Sequence, residues 1–280
     1  MWATDTYSKF GVEYAAEKQM TPALLSGLNA NIIQPRIAKA LNDQQDRTKK
    51  HAEVFTPAWI CNKMNNQCDE VWFGRSDVFN KIEGHSWTDV DQTVIFPKRK
   101  TWKHYVDSRR IEITCGEAPY LVSRYDAASG EEIAIPHRVG ILDRKLRIVN
   151  ENAADESEWL KWSIRAFQSV YGYEFQGDNL LIARVNLLMS FSEYLADKWN
   201  RQASKMELKK IANIIAWNIW QMDGLKGIVP YGVPREECHQ MTLFDIPQPT
   251  EQNGTAATNC RIYDWRKQRS IFYSDMQKGR

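Results

Sequence analysis

The chain has 280 residues and a formal charge of +2, and it is 43% hydrophobic, 26% charged and 11% aromatic. That length makes one large domain or a domain with an extension, and the composition excludes a collagen, a disulfide-stapled miniprotein and a wholly disordered chain. No apolar run approaches the roughly 18 residues that span a bilayer. Met1 to Phe10 lacks the apolar stretch of a secretory signal, so neither a membrane nor export is expected.

Five cysteines, Cys61, Cys68, Cys115, Cys238 and Cys260, are scattered without a C-x-x-C. An odd, scattered set predicts reduced thiols and a cytoplasmic chain. Cys238 and His239 form a local pair without further ligands at zinc spacing, so no metal site is expected. The charge is uneven. Segment 96–110 carries Lys98, Arg99, Lys100, Lys103, Arg109 and Arg110 against Asp107, and segment 261–280 carries six basic residues against Asp264 and Asp275. Such patches suit phosphates, though a solvated basic surface is the simpler reading.

Residues 1–50 read as a helical extension. Thr21-Pro22 is a helix start with proline in the first turn. Leu24, Leu25, Leu28, Ile32 and Ile33 follow at helical spacing, Pro35 interrupts them, and Asn42 to Lys50 reads as a polar surface connection. Thr56-Pro57 starts a second helix, with Ala58, Trp59, Ile60 and Met64 on a partly apolar face. Residues 71–110 give no clear pattern.

From Ile111 the pattern changes. Ile111 to Thr114 is a short β-type run ending at Cys115-Gly116, with a helix expected soon after. Residues 155–169 form an amphipathic helix with Trp159, Trp162, Ala166 and Phe167 on one side. Val170 to Phe175 is a strand and Asn179 to Trp199 a long helix. Ile211 to Trp220 is ambiguous between helix and strand. Residues 246–259 read as a loop, and 260–274 as a hairpin of Cys260–Tyr263 and Ile271–Tyr273. Strand, helix, strand, helix predicts an α/β fold with a parallel sheet flanked by helices. The expected division is an extension over 1–50, a domain over 51–245, and a linker with hairpin over 246–280.

The chemistry concentrates at predicted strand ends, where open α/β sheets bind ligands. Glu112-Ile-Thr-Cys115-Gly116-Glu-Ala-Pro-Tyr120-Leu121 puts a carboxylate at one such end and a glycine after it. Gly172-Tyr173-Glu174 puts a second acid at the next. Either acid also reads as an ordinary solvated strand end. Met64, Met189 and Met222 read as packing residues.

The stretch from Glu112 to Leu121 resembles the first motif of adenine-N6 DNA methyltransferases, D-P-A-C-G-S-G-x-F-L, with Ala118 in place of the second glycine. Val54-Phe55-Thr56-Pro57 is similar to that family's F-Y-T-P segment. Gly172-Tyr173-Glu174 and Ile182-Ala183-Arg184-Val185-Asn186-Leu187 resemble its G-x-E…A-x-x-N-L. Ile219 to Leu225, with Asp223, resembles its third motif. The modification subunits of restriction systems carry these motifs in this order.

The resemblance implies a Rossmann-like methyltransferase sheet and S-adenosylmethionine as cofactor. It implies that Phe55, Thr56, Pro57, Glu112, Cys115, Gly116, Glu174 and Asp223 line the pocket. Glu174 would hold the ribose, Asp223 the adenine amine, and the Phe55–Pro57 segment the methionine part. The family's catalytic N-P-P-Y is missing, and Ile228-Val229-Pro230-Tyr231 puts an isoleucine where the asparagine belongs. The implied protein is therefore the cofactor-binding part of a DNA adenine methyltransferase, truncated or split. Its partners would be DNA and a chain supplying the catalytic or target-recognition parts, and its catalytic residues are unassigned. The competing expectation is a methyltransferase-like module that has lost methyl transfer and acts through a protein or DNA partner.

Overall fold

The computed structural model describes residues 1–39, 44–45, 47–49, 56–232 and 259–278. At its centre are three parallel strands in spatial order β3-β4-β5: Arg110–Glu112 (β3), Val170–Glu174 (β4) and Ile219–Gln221 (β5). Before them come helix α1 (Ala58–Phe73), a hairpin of β1 (Asn80–Glu83) with β2 (Ser86–Asp89), and the short helix α2 (Trp102–Val106). Helices α3 (Ile141–Asn152) and α4 (Glu156–Gln168) connect β3 to β4; α5 (Gly177–Trp199) and α6 (Lys205–Asn218) connect β4 to β5. The chain is thus mixed α/β with a parallel sheet flanked by helices.

Strand alternation explains the layering, because successive side chains point to opposite faces. Val170 and Ile219 join Leu142, Leu146, Phe167, Phe191 and Ile215 in the core under the helices. Tyr171, Tyr173, Trp220 and Met222 face the other way, onto the tail. There β6 (Arg261–Asp264) and β7 (Arg269–Phe272) form the expected hairpin, followed by α7 (Tyr273–Lys278). Cys260, Ile262 and Tyr273 close that second core. Every residue of β4 is buried, as expected for a strand covered on both faces.

Helix ends follow local chemistry. Asp155 caps α4 by accepting the Glu158 N–H, and Ser204 with Glu207 forms a capping box on α6. The ambiguous stretch 211–220 is helix to Asn218 and strand from Ile219. Asn218 Nδ2 donates to the Phe167 and Val170 carbonyls, each at 2.9 Å, which fixes the switch by tertiary contact.

Four expectations are corrected. Residues 1–39 are not an α-helical extension but a string of 3₁₀ turns, including Pro22–Leu25 and Gly27–Asn29. Gly27 sits at φ +61°, which interrupts the run, and Leu28 is fully exposed. Leu24, Leu25, Ile32 and Ile33 instead pack on a cluster of Trp2, Tyr7 and Tyr14. The polar stretch 42–50 is helical at 44–45 and 47–49, and Arg47 is buried there rather than on the surface.

The segment after Gly116 makes one 3₁₀ turn at Ile135–His137 and does not enter an α-helix until Ile141. Pro119 and three left-handed residues turn the chain first. The first strand also stops earlier than expected, at Glu112, because Thr114 already lies at φ +52°. Phe55, His51, Cys238, His239 and the linker 246–258 lie outside the described residues.

Candidate functional site

The carboxyl ends of β3 and β4 lie side by side, and the turn 113–118 crosses them. Cys115 N–H donates to the Tyr173 carbonyl at 2.8 Å, and Gly116 N–H donates to Glu174 Oε2 at 2.8 Å. Glu174 Oε1 accepts the Gln176 N–H at 3.1 Å. A Cβ on Gly172 would lie 3.2 Å from the Cys115 thiol and 3.2 Å from Ile219 Cδ1, tighter than ordinary packing, so glycine spares both side chains a small shift. Burial pushes that thiol well above its ordinary range, with Glu112 and Glu174 adding to the effect; it is a packing group.

Thr114, Gly116 and Ala118 take φ of +52°, +54° and +65°. Asn186 of α5 anchors this turn by donating to the Glu117 carbonyl at 3.1 Å. Glu117 itself accepts the Tyr125 hydroxyl at 2.5 Å and the Arg36 N–H at 2.7 Å. Left-handed backbone costs an L-residue about 1–2 kcal/mol. Ala118→Gly is therefore expected to stabilise the fold by about 0.5–1 kcal/mol after the entropy gained by the unfolded glycine. Denaturant unfolding reads this out, and a loss of stability would show that the methyl packing outweighs the strain.

Glu112 ends β3 and is 8% exposed. Its Oε2 has no hydrogen-bond partner. Burial drives its carboxyl well above the usual carboxylate range; the Tyr120 and Leu121 N–H groups pull it down, and Glu174 pushes it up. Glu112 lines a cavity of about 730 Å³ with Thr56, Met64, Thr114 and Tyr120. The Tyr120 hydroxyl lies 3.1 Å from Met64 Sδ. Pro57 is the N-cap residue of α1, the helix that forms one wall. Asn65 of that helix donates to the Tyr120 and Val139 carbonyls, both at 3.0 Å.

No family model, curated protein or solved structure matches this chain.

The geometry joins five of the residues singled out from the sequence. Thr56 and Glu112 share the cavity, and Cys115, Gly116 and Glu174 build the adjoining turn. Asp223 stands apart. It follows β5, accepts the Leu225 and Lys226 N–H groups at 3.1 and 3.2 Å, and pairs with Ile228 as an isolated bridge. That is a turn-forming role. Tyr231 is exposed and meets Phe175 edge-on, with ring centroids 5.7 Å apart.

The end of β5 is covered by the chain's own beginning. The Met1 amine donates to Gln221 Oε1 at 2.8 Å, and Gly177 N–H donates to the Trp2 carbonyl at 2.8 Å. Asp178 is buried against Lys39, Arg47 and the Tyr7 hydroxyl, and these partners hold its carboxyl below the usual range although burial opposes them. This cover could not be read from sequence spacing, because its partners are more than 130 residues apart.

Among the described residues, no group of three His, Cys, Asp or Glu is placed to hold a metal ion, and no helix is long and apolar enough to cross a membrane. Lys98, Arg99 and Arg109 of the basic segment are exposed, whereas Lys103 pairs with Glu158 at 2.9 Å and Lys100 donates to the Trp72 carbonyl.

Proposed function

We propose that this chain is the S-adenosylmethionine-binding part of a DNA adenine-N6 methyltransferase of restriction-modification type, built on a Rossmann-like sheet and acting with DNA and a partner chain. The supporting observation is Glu112 at a strand end: the residue lines a cavity, and one of its carboxyl oxygens is buried without a hydrogen-bond partner. A buried carboxyl oxygen left without a partner is costly, and an ammonium group admitted beside it would satisfy it.

The residues present fit the amino-acid end of the cofactor. Glu112 would take its ammonium group, and Thr56, Thr114 and Tyr120 would surround it. Glu174, whose oxygens accept the Gly116 and Gln176 N–H groups, stands at the neighbouring strand end and would take the ribose. When bound, the cofactor supplies an electrophilic methyl group on a sulfonium, and the protein's part is to orient it and exclude water. Cys115, Gly116 and Asn186 act as positioning residues for the turn.

Calorimetric titration of the pure chain with S-adenosylmethionine, repeated with S-adenosylhomocysteine, tests this. Micromolar binding is the expected result, and silence at millimolar ligand would overturn it. Glu174→Ala is expected to weaken binding by about 1–3 kcal/mol; unchanged affinity would remove Glu174 from the site. Met1 and Trp2 seated at the β4 and β5 ends favour a second reading, an inactive module acting through a partner. Methyl transfer by the lone chain would refute that reading.

A further inference from the structure

The two edges of the parallel sheet are treated differently. In a parallel ladder alternate residues bond to alternate sides. Met222 N–H donates to the Glu174 carbonyl, so Ile219 and Gln221 turn their backbone groups away from β4. Both outward carbonyls are covered: Arg184 Nε donates to Ile219 O at 2.8 Å, and the Cys260 thiol lies 3.8 Å from Gln221 O. On β3, Arg110 N–H donates to the Ser169 carbonyl, so Ile111 turns its N–H and C=O outward. Among the described residues, β3 has β4 as its sole neighbour in the sheet.

Cavities open beside this edge on both faces of the sheet. The 730 Å³ cavity lies on the helix face, between β3 and α1. A second, of about 500 Å³, lies on the hairpin face and is walled by Tyr171, Ile262, Ile271 and Tyr273. Arg110, Ile111 and Ile113 line both, and Ile113 is 59% exposed. A strand laid against Ile111 would send alternate side chains into the two cavities, because side chains alternate at period two. Uncovered edges are normally blunted, and this one is apolar and flanked by space.

We propose that β3 is completed by a β-strand from a different polypeptide, with apolar side chains on both faces and an acidic residue near Arg109 and Arg110. Arg109 and Arg110 line the hairpin-face cavity with Asp264, two cations against one carboxylate. The inference rests on edge geometry and goes beyond the cofactor proposal, although both meet at Glu112.

The probe is a short synthetic peptide alternating valine and isoleucine, with an aspartate at each end. At a peptide concentration about ten times its Kd, hydrogen exchange at the Ile111 amide is expected to slow about tenfold. Ile111→Pro removes the outward N–H without touching the β4 ladder, since proline is tolerated on an edge. That variant is expected to keep its fold, read by circular dichroism and urea unfolding, while losing the peptide. No protection in the native chain, or equal peptide binding by Ile111→Pro, would overturn the proposal. Concentration-dependent dimerisation abolished by Ile111→Pro would assign the edge to a second copy and overturn it too. A chain that binds the peptide but not the cofactor would sink the cofactor reading alone.

Discussion

Arg144→Ala is expected to cost about 3–5 kcal/mol of folding stability, the range for breaking a buried ion pair from one side. Arg144 is 1% exposed on α3. Its guanidinium reaches Asp69 Oδ2 at 2.5 Å, Asn62 Oδ1 at 2.7 Å and Asn66 Oδ1 at 2.7 Å, and its Nε donates to the Val139 carbonyl at 3.1 Å. The Tyr105 hydroxyl donates to the other Asp69 oxygen at 2.8 Å. Truncation leaves Asp69 charged and buried with the tyrosine as its remaining partner. Pairing Arg144→Ala with Asp69→Ala should restore part of the loss, because the second change removes the stranded charge. Arg144→Lys should rescue poorly, since one ammonium cannot reach three planar acceptors. Urea unfolding of the three variants checks this, and a loss under about 1 kcal/mol for Arg144→Ala would mean the network does not hold α1.

That network also decides the site, because α1 forms the wall opposite Glu112. Little of it was legible in the sequence. Local signals read well: the Thr56-Pro57 start opens α1, Trp159, Ala166 and Phe167 are the buried side of α4, and the tail forms its hairpin. Each depends on neighbours within a few residues. The segment 71–110 could not be read, because its short β1–β2 hairpin and five-residue α2 are stabilised by distant groups such as Arg147 and Lys145. Lys145 is a plain example. Its amine is buried and donates to the Val106 and Ser108 carbonyls and Ser169 Oγ, which pins the chain entering β3, yet nothing near it in sequence shows this. The N-terminal misreading has the same root. Apolar spacing of Leu24, Leu25 and Ile32 suited a helix, but three aromatic rings supplied the surface, and Gly27 broke the turn.

Glu112→Gln is expected to weaken S-adenosylmethionine binding about 10–100-fold, the loss of one charge-assisted hydrogen bond of about 1.5–3 kcal/mol. The same change should alter how both stability and affinity depend on pH. Glu112 is raised in the folded chain, chiefly by burial. Between the usual carboxylate range and that raised value, the folded chain holds a proton that the unfolded chain has lost. Stability therefore falls as pH rises through this window, and Glu112→Gln removes that fall. Affinity moves the other way. An ammonium ligand needs the carboxylate ionised, so binding expels the proton and strengthens as pH rises from the usual carboxylate range toward the raised value, until the ligand's own amine deprotonates. Calorimetry in buffers of different ionisation heat measures the released proton directly. Equal affinity and equal proton release in Glu112→Gln would place the ammonium elsewhere. A stability profile that stays sloped in the variant would assign the pH dependence to another buried acid, with Asp143, raised by burial, as the first to examine.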